Sequence, residues 1–308
     1  MGPEGPPIPN AGSSRCYFFP VATSTASFGA GKRESHDASE FYSRQMSRHA
    51  PALQATGLVA DAPAEVLNRI FCQSSEAMDQ LPDGCVSLMV TSPPYNVGKD
   101  YDGDLSLDVY LGLLERVFAE TYRVLEAGGR VAVNVANLGR KPYLALNHHV
   151  AGLLNDIGFL LRGEIIWQKA KSAGGSCAWG SWQSAKNPTL RDLHEYVIVA
   201  CKESYKRLRR GEDTIARDDF LDATVSVWNI HPESAKRVGH PAPFPVALPQ
   251  RLIELYTFAD DLVLDPFMGA GSTAVAAVAT GRNYVGYDTE PEYIALAESR
   301  IAEARAAD

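Results

Sequence analysis

Apolar residues recur at three- and four-residue steps through LDVYLGLLERVFAETYRVL (107–125), which predicts an amphipathic helix, ended by the glycine pair at 128 and 129. Helices are also expected at LALNHHVAGLLNDIG (144–158), VALPQRLIELYTFA (246–259), STAVAAVATG (272–281) and EPEYIALAESRIAEARA (290–306). Short apolar runs bounded by turn residues predict strands at EVLNRIFC (65–72), VSLMVTS (86–92), RVAVNVAN (130–137), GEIIWQK (163–169), EYVIVAC (195–201), LVLD (262–265) and NYVGYD (283–288). Strands alternate with helices, which predicts a mainly parallel sheet covered on both faces. Residues 1–35 carry no period and read as a flexible N-terminal segment, with a short strand at CYFFPVA, and HDASEFYSRQMSRHA reads as a short polar helix. KSAGGSCAWGSWQSAKNP (171–188) reads as a long mobile loop.

Composition narrows the class. The chain has 308 residues, 45% of them hydrophobic, which suits one large α/β domain or one domain with an appendage. No apolar run is long enough to span a bilayer, and the N-terminus does not read as a signal peptide, so a cytoplasmic protein is expected. The five cysteines, Cys16, Cys72, Cys85, Cys177 and Cys201, form no C-x-x-C pair, which argues against zinc and against a disulfide framework. A net charge of −8 speaks against coating nucleic acid by bulk charge but leaves room for a local basic face. KESYKRLRR (202–210) is the densest such stretch, with Lys206, Arg207, Arg209 and Arg210.

LVLDPFMGAGSTA runs from a strand through glycines into a helix. Gly269, Gly271 and Ala274 fit G-x-G-x-x-G/A, a turn that brings the backbone close to a ligand at a helix N-terminus. Asp265 ends that strand, and Asp288 ends the next one, where an acid can grip ribose hydroxyls. These residues alone indicate a nucleoside-containing cofactor and leave NAD, FAD and S-adenosylmethionine open. No lysine follows the glycines as in a phosphate-binding loop, so nucleotide hydrolysis is not expected.

VTSPPYNVG (90–98) is the other unusual stretch, with two prolines between a small hydroxyl residue and an aromatic. TSPPYN together with DPFMGAGST resembles the exocyclic-amino DNA methyltransferases that use S-adenosyl-L-methionine. The order, with the catalytic tetrapeptide first and the cofactor loop last, resembles their permuted β-type class, and the resemblance covers roughly residues 64 to 305. It implies a Rossmann-like, doubly wound, mainly parallel α/β sheet with permuted motif order and a small recognition insert, over a catalytic domain spanning 36–308. The implied catalytic residues are Ser92, Pro93, Pro94 and Tyr95. Asp265, Pro266, Phe267, Gly269 and Gly271 would line the methionine end of the cofactor. Ser272 and Thr273 would meet its carboxylate, Asp288 its ribose, and His240, Pro243 and Phe244 would complete the pocket. Where the family carries Gly-Asp, facing the cofactor's adenine, this chain has FCQSSE, with Gln73 in the place of the acid.

The chemistry suits the tetrapeptide. An exocyclic amino nitrogen is a poor nucleophile because its lone pair is delocalised into the ring. The Ser92 hydroxyl and the Pro93 carbonyl would accept its two hydrogens and turn the lone pair outward, with the proline pair fixing the carbonyl in advance. Tyr95 would stack on a base flipped from the duplex. Proton loss can follow to solvent, so no dedicated strong base is required. The resemblance implies that Ser in the first position leans toward the 4-amino group of cytosine, with the 6-amino group of adenine the nearest alternative. RNA, a protein amide and a catalytically silent DNA-binding module are more distant alternatives. Methylation at carbon-5 of cytosine would need a Pro-Cys nucleophile, which the chain lacks.

Target recognition is expected from 169–190, with Lys171, Trp179, Trp182 and Lys186, and from 202–230, with the basic cluster. The implied partners are double-stranded DNA, a second copy of the chain and a cognate restriction endonuclease.

Overall fold

The computed structural model describes residues 55–95, 105–139, 141–170, 182–233 and 244–307. After a short 3-10 turn at Ala64–Val66, the elements in chain order are β1 (Arg69–Cys72), β2 (Val86–Thr91), α1 (Leu107–Val124), β3 (Leu125–Val135), α2 (Leu146–Ile157), β4 (Leu160–Gln168), β5 (His194–Cys201), α3 (Arg217–Ala223), β6 (Val227–Asn229), α4 (Ala247–Tyr256), β7 (Leu262–Asp265), α5 (Ser272–Ala279), β8 (Asn283–Asp288) and α6 (Pro291–Ala307). The strand CYFFPVA and the helix HDASEFYSRQMSRHA expected near the N-terminus lie outside the described residues, as do Lys171, Trp179, His240 and Pro243. Among the described residues no helix is long and apolar enough to cross a membrane.

The strands form one eight-stranded sheet in the order β1-β8-β7-β2-β3-β5-β4-β6. Neighbours are parallel except at β5, which runs antiparallel to both β3 and β4. Successive residues of β2 point to opposite faces, so Met89 joins one apolar core while Leu88 and Val90 join the other. Leu114, Val117 and Phe118 of α1, with Val150 and Leu154 of α2, cover the first face. Leu252 and Ile253 of α4, Ala276 and Ala277 of α5, and Ile301 of α6 cover the second. The sheet is therefore doubly wound, and its central strands are buried throughout.

β7 and β2 lie side by side and parallel. The chain leaves β7 through α5 to β8 on one side, and leaves β2 through α1 to β3 on the other. The two crossover helices also pack on opposite faces. This is a topological switch point, and the crevice beyond the carboxyl ends of the two strands is where open α/β sheets bind ligands.

The structure corrects two expectations. Helix α1 stops at Val124, before the glycine pair, because Leu125 already pairs with Val86 of β2. Gly128 and Gly129 lie inside β3. A Cβ on Gly128 would meet the Lys206 carbonyl at 2.2 Å, so this glycine serves the close passage of the 202–207 segment over the strand. EVLNRIFC yields a strand only from Arg69, its first half being taken by the 3-10 turn.

Candidate active site

The end of β2 meets the end of β7 at the switch point. Asp265 is fully buried there, and its carboxylate accepts from the Thr91 hydroxyl at 2.7 Å, the Thr273 hydroxyl at 2.6 Å and the Phe267 amide at 3.1 Å. Burial pushes the Asp265 carboxyl up to about 7, against the opposing pull of those three hydrogen bonds. The Thr91 bond ties it to β2, at the residue next to Ser92.

The glycine loop follows. Gly269 and Gly271 both have positive φ, at 49° and 76°. Among the described residues no side chain caps α5, whose N-cap is Gly271, and an uncapped helix N-terminus of this kind suits an anionic group. A Cβ at Gly271 would meet that of Ala297 at 2.7 Å, so glycine also permits α6 to pack. The Asp288 carboxylate accepts from the Gly269 amide at 2.7 Å and the Glu290 amide at 2.9 Å, which fixes it while leaving lone pairs for hydroxyl donors. The Ser272 hydroxyl donates to the Phe244 carbonyl at 2.9 Å, and the Ser75 hydroxyl donates to the Pro266 carbonyl at 2.8 Å. Gln73 exchanges hydrogen bonds with the Gln80 side chain, at 3.0 and 3.3 Å, and Gln80 accepts from the Tyr287 hydroxyl at 3.1 Å. An uncapped helix terminus, a fixed carboxylate at the next strand end and an amide near it fit a ligand with an amino-acid end, a ribose and an adenine.

Beside this cradle stands a second cluster. The Tyr95 hydroxyl lies 3.0 Å from Ser92 Oγ, accepts from Asn134 Nδ2 at 2.9 Å and lies 3.1 Å from Glu195 Oε2. Asn134 Nδ2 also donates to Glu195 Oε2 at 2.6 Å, and Lys169 Nζ pairs with Glu195 Oε1. Burial, then the neighbouring Glu195 charge, pushes the Tyr95 phenol well above its usual range. Four strand ends, of β2, β3, β4 and β5, thus converge on one hydroxyl pair. Thr91, Asn134, Lys169 and Glu195 are the residues that motif reasoning missed. Only the acid–base pair flanking the 169–194 stretch offered a signal, and nothing local marks it as a pair.

The predicted DNA-contacting residues divide by position. Because β4 runs parallel to β2 and β5 runs against it, the stretch between them leaves the sheet at the Ser92 end. Within that stretch Trp182 is 69% exposed, and Lys186 is exposed. The basic cluster lies elsewhere. The Arg207 side chain, 7% exposed, donates to Glu126 at the start of β3, to Asp261 just before β7 and to Ser87 Oγ on β2 at 2.9 Å. Arg209 pairs with Glu126 and Asp61, both at 2.8 Å. These partners mark the amino ends of the strands, about 20 Å from Ser92 for a six-residue strand. Arg207 and Arg209 are therefore structural cations, drawn in by carboxylates on converging segments, while Lys206 and Arg210 stay exposed at that same far end. The second half of the 202–230 segment folds into α3 and the edge strand β6.

Known proteins resemble this chain in sequence and in fold. The N6/N4 methyltransferase family model, described as DNA methylase, matches residues 86–299. Type II methyltransferase M.MthZI of Methanothermobacter thermautotrophicus is 31% identical over 273 residues, covering 77% of this chain and 77% of its own length. Type II methyltransferase M.BglI of Bacillus subtilis is 28% identical over 289 residues, covering 73% of this chain and 83% of its own. Among solved structures, a candidate DNA modification methylase of Thermus thermophilus in complex with S-adenosyl-L-methionine superposes with a TM-score of 0.62 at 26% identity, over 77% of this chain and 95% of that one. The cytosine-N4-specific PvuII DNA methyltransferase shares the fold, with a TM-score of 0.60 at 21% identity over 75% of this chain and 85% of that one. With the family model running from the strand that leads to Ser92 to the final helix, the chain belongs to the N6/N4 DNA methylase family.

Proposed function

We propose that this protein transfers a methyl group from S-adenosyl-L-methionine to the 4-amino group of cytosine in double-stranded DNA. The observation that carries the reading is the position of Ser92-Pro93-Pro94-Tyr95 at the end of β2, one strand from the Asp265–Asp288 cradle across the switch point. When bound, the cofactor supplies an electrophilic methyl group on a sulfonium. Asp265, with Pro266 and Phe267, would border its amino-acid end, the α5 N-terminus would receive its carboxylate, and Asp288 would take the ribose. Gln73, already paired with Gln80, would meet the adenine.

The chain's own work on the base is positional. The Ser92 oxygen and the Pro93 carbonyl accept the two amino hydrogens, and in doing so take the nitrogen lone pair out of conjugation. The prolines hold that carbonyl without a conformational search, and Tyr95 offers a ring face to the extruded base. Pre-set geometry supplies most of the acceleration in such a displacement. Serine at the first position supports cytosine over adenine. Trp182 and Lys186, exposed within the stretch between β4 and β5, are suited to stacking and phosphate contact with the deformed duplex.

The test is nucleoside mass spectrometry on unmethylated DNA of mixed sequence incubated with the protein and labelled S-adenosyl-L-methionine. The expected product is N4-methylcytosine. Label in N6-methyladenine keeps the mechanism and overturns the base assignment. Unlabelled DNA with intact cofactor binding overturns the substrate class.

A further inference from the structure

We infer that Glu195, charged and paired with Lys169, is a positioning residue that sets the direction of the hydrogen bonds behind Ser92, so that the serine oxygen faces the substrate as an acceptor. The inference rests on the proposed chemistry at Ser92 and deepens it.

The argument is a count of protons. A serine hydroxyl can hold the target amino group only by accepting from it. Its own hydrogen must then point elsewhere. On the protein side the hydroxyl meets Asn134 Nδ2 at 3.4 Å, which can only donate, and the Tyr95 hydroxyl at 3.0 Å, a contact that by itself has no preferred direction. Glu195 breaks the tie. An ionised carboxylate has no hydrogen to give, so the phenol, 3.1 Å from Glu195 Oε2, donates to it. The Asn134 main-chain carbonyl, at 3.3 Å, is a longer and uncharged second acceptor for the same hydrogen. A phenol has one hydrogen, so Ser92 must donate to Tyr95. The chain runs Ser92 to Tyr95 to Glu195. Asn134 Nδ2 reaches one Ser92 lone pair at 3.4 Å, and the other remains for the substrate side.

Asn134 reports the same polarity. Its nitrogen lies 2.6 Å from Glu195 Oε2 and 2.9 Å from the Tyr95 oxygen, while its Oδ1 is buried without a partner among the described residues. Next to a carboxylate the amide must present its NH2 group, at the expense of its own acceptor. Glu195 therefore orders two neighbours at once, while Lys169 pairs with its second oxygen. Lys169 directly follows β4 and Glu195 lies at the start of β5, so the pair also ties together the two stems of the stretch that carries Trp182 and Lys186.

Glu195→Gln is the informative variant, since a glutamine can donate and so permits the reversed direction. The expected result is a fall in kcat of about tenfold or more, with KM for DNA and the calorimetric affinity for S-adenosyl-L-methionine held within about twofold. In a Tyr95→Phe background the same change should cost nothing further, because the route through the phenol is already cut. Lys169→Met should lower kcat in the same direction by less. A substrate-free readout accompanies these: with tyrosine labelled at Cζ, the resonance that Tyr95→Phe deletes should shift in Glu195→Gln. Wild-type kcat in Glu195→Gln, full additivity with Tyr95→Phe, or an unmoved Tyr95 resonance each overturns the inference. If the wild-type protein labels no DNA, the substrate reading fails instead, and the resonance alone decides whether Glu195 orders Tyr95.

Discussion

The Thr91 hydroxyl and the Asp265 carboxylate, 174 positions apart in the chain, share a 2.7 Å hydrogen bond in the buried centre of the sheet. It joins the strand that leads into Ser92-Pro93-Pro94-Tyr95 to the strand that leads into the glycine loop. Replacing Thr91 by valine keeps the shape and removes one of three donors to a buried carboxyl. The expected cost is about 1–3 kcal/mol in urea unfolding, with weakened cofactor binding by calorimetry. Unchanged stability would mean that the two hydrogen bonds from Thr273 and Phe267 suffice.

The raised pKa of Asp265 carries a pH signature. In the fold its carboxyl titrates near 7, against an ordinary value of 3.8. The folded state therefore holds the proton more tightly than the unfolded chain, and the contribution of this group to stability declines as pH rises from about 4 to about 7. Binding of a cofactor with an ammonium group has the opposite dependence, since it favours the ionised carboxylate. The rise in melting temperature on adding S-adenosyl-L-methionine should grow as pH is raised through the titration of this carboxyl, and Asp265→Asn should flatten that growth. A slope that survives in Asp265→Asn would assign it to another group.

Gly271 holds φ of 76° at the start of α5 while its absent side chain leaves room for α6. Alanine there would cost about 1–2 kcal/mol for the left-handed backbone alone. Contact with Ala297, at 2.7 Å from its Cβ and 3.0 Å from its Cα, would add to this and move the helix N-terminus. Thermal unfolding should show the loss, and cofactor affinity should fall with it.

Arg207→Met separates structural from DNA-contacting cations. It leaves Glu126 and Asp261 buried with less compensation, and breaking a buried pair of this kind costs about 3–5 kcal/mol. The salt dependence of DNA binding by the folded fraction should stay at the wild-type slope.

Lys186→Ala and Trp182→Ala should behave in the reverse manner. Both side chains are exposed, so stability should hold within about 0.5 kcal/mol. DNA affinity should fall for each. For Lys186 the salt slope should drop by about 0.9 if it meets one phosphate. An unchanged slope and affinity would remove the 182–193 stretch from the DNA-facing surface.

Periodicity and motif spacing in the amino-acid sequence determined most of the helices, the strands LVLD and NYVGYD to the residue, and the α/β class. Those features are local: a helix face or a buried strand is written in residues a few positions apart. The two motifs were legible for the same reason, since each is a strand end followed by a turn that needs glycine or proline. What only the tertiary structure decided is how distant segments meet. The glycine pair at 128 and 129 lies within β3 because another segment passes over it. The basic run at 202–210 reads as a surface cluster until Glu126 and Asp261, from two parts of the sheet, draw Arg207 inside. Glu195 and Lys169 are unremarkable charges until antiparallel β5, inserted between two parallel strands, sets them behind Ser92 and Tyr95. A charge becomes a structural tie or a directing group only where folding removes water and supplies its partner, and that depends on strand order, which no short window of sequence contains.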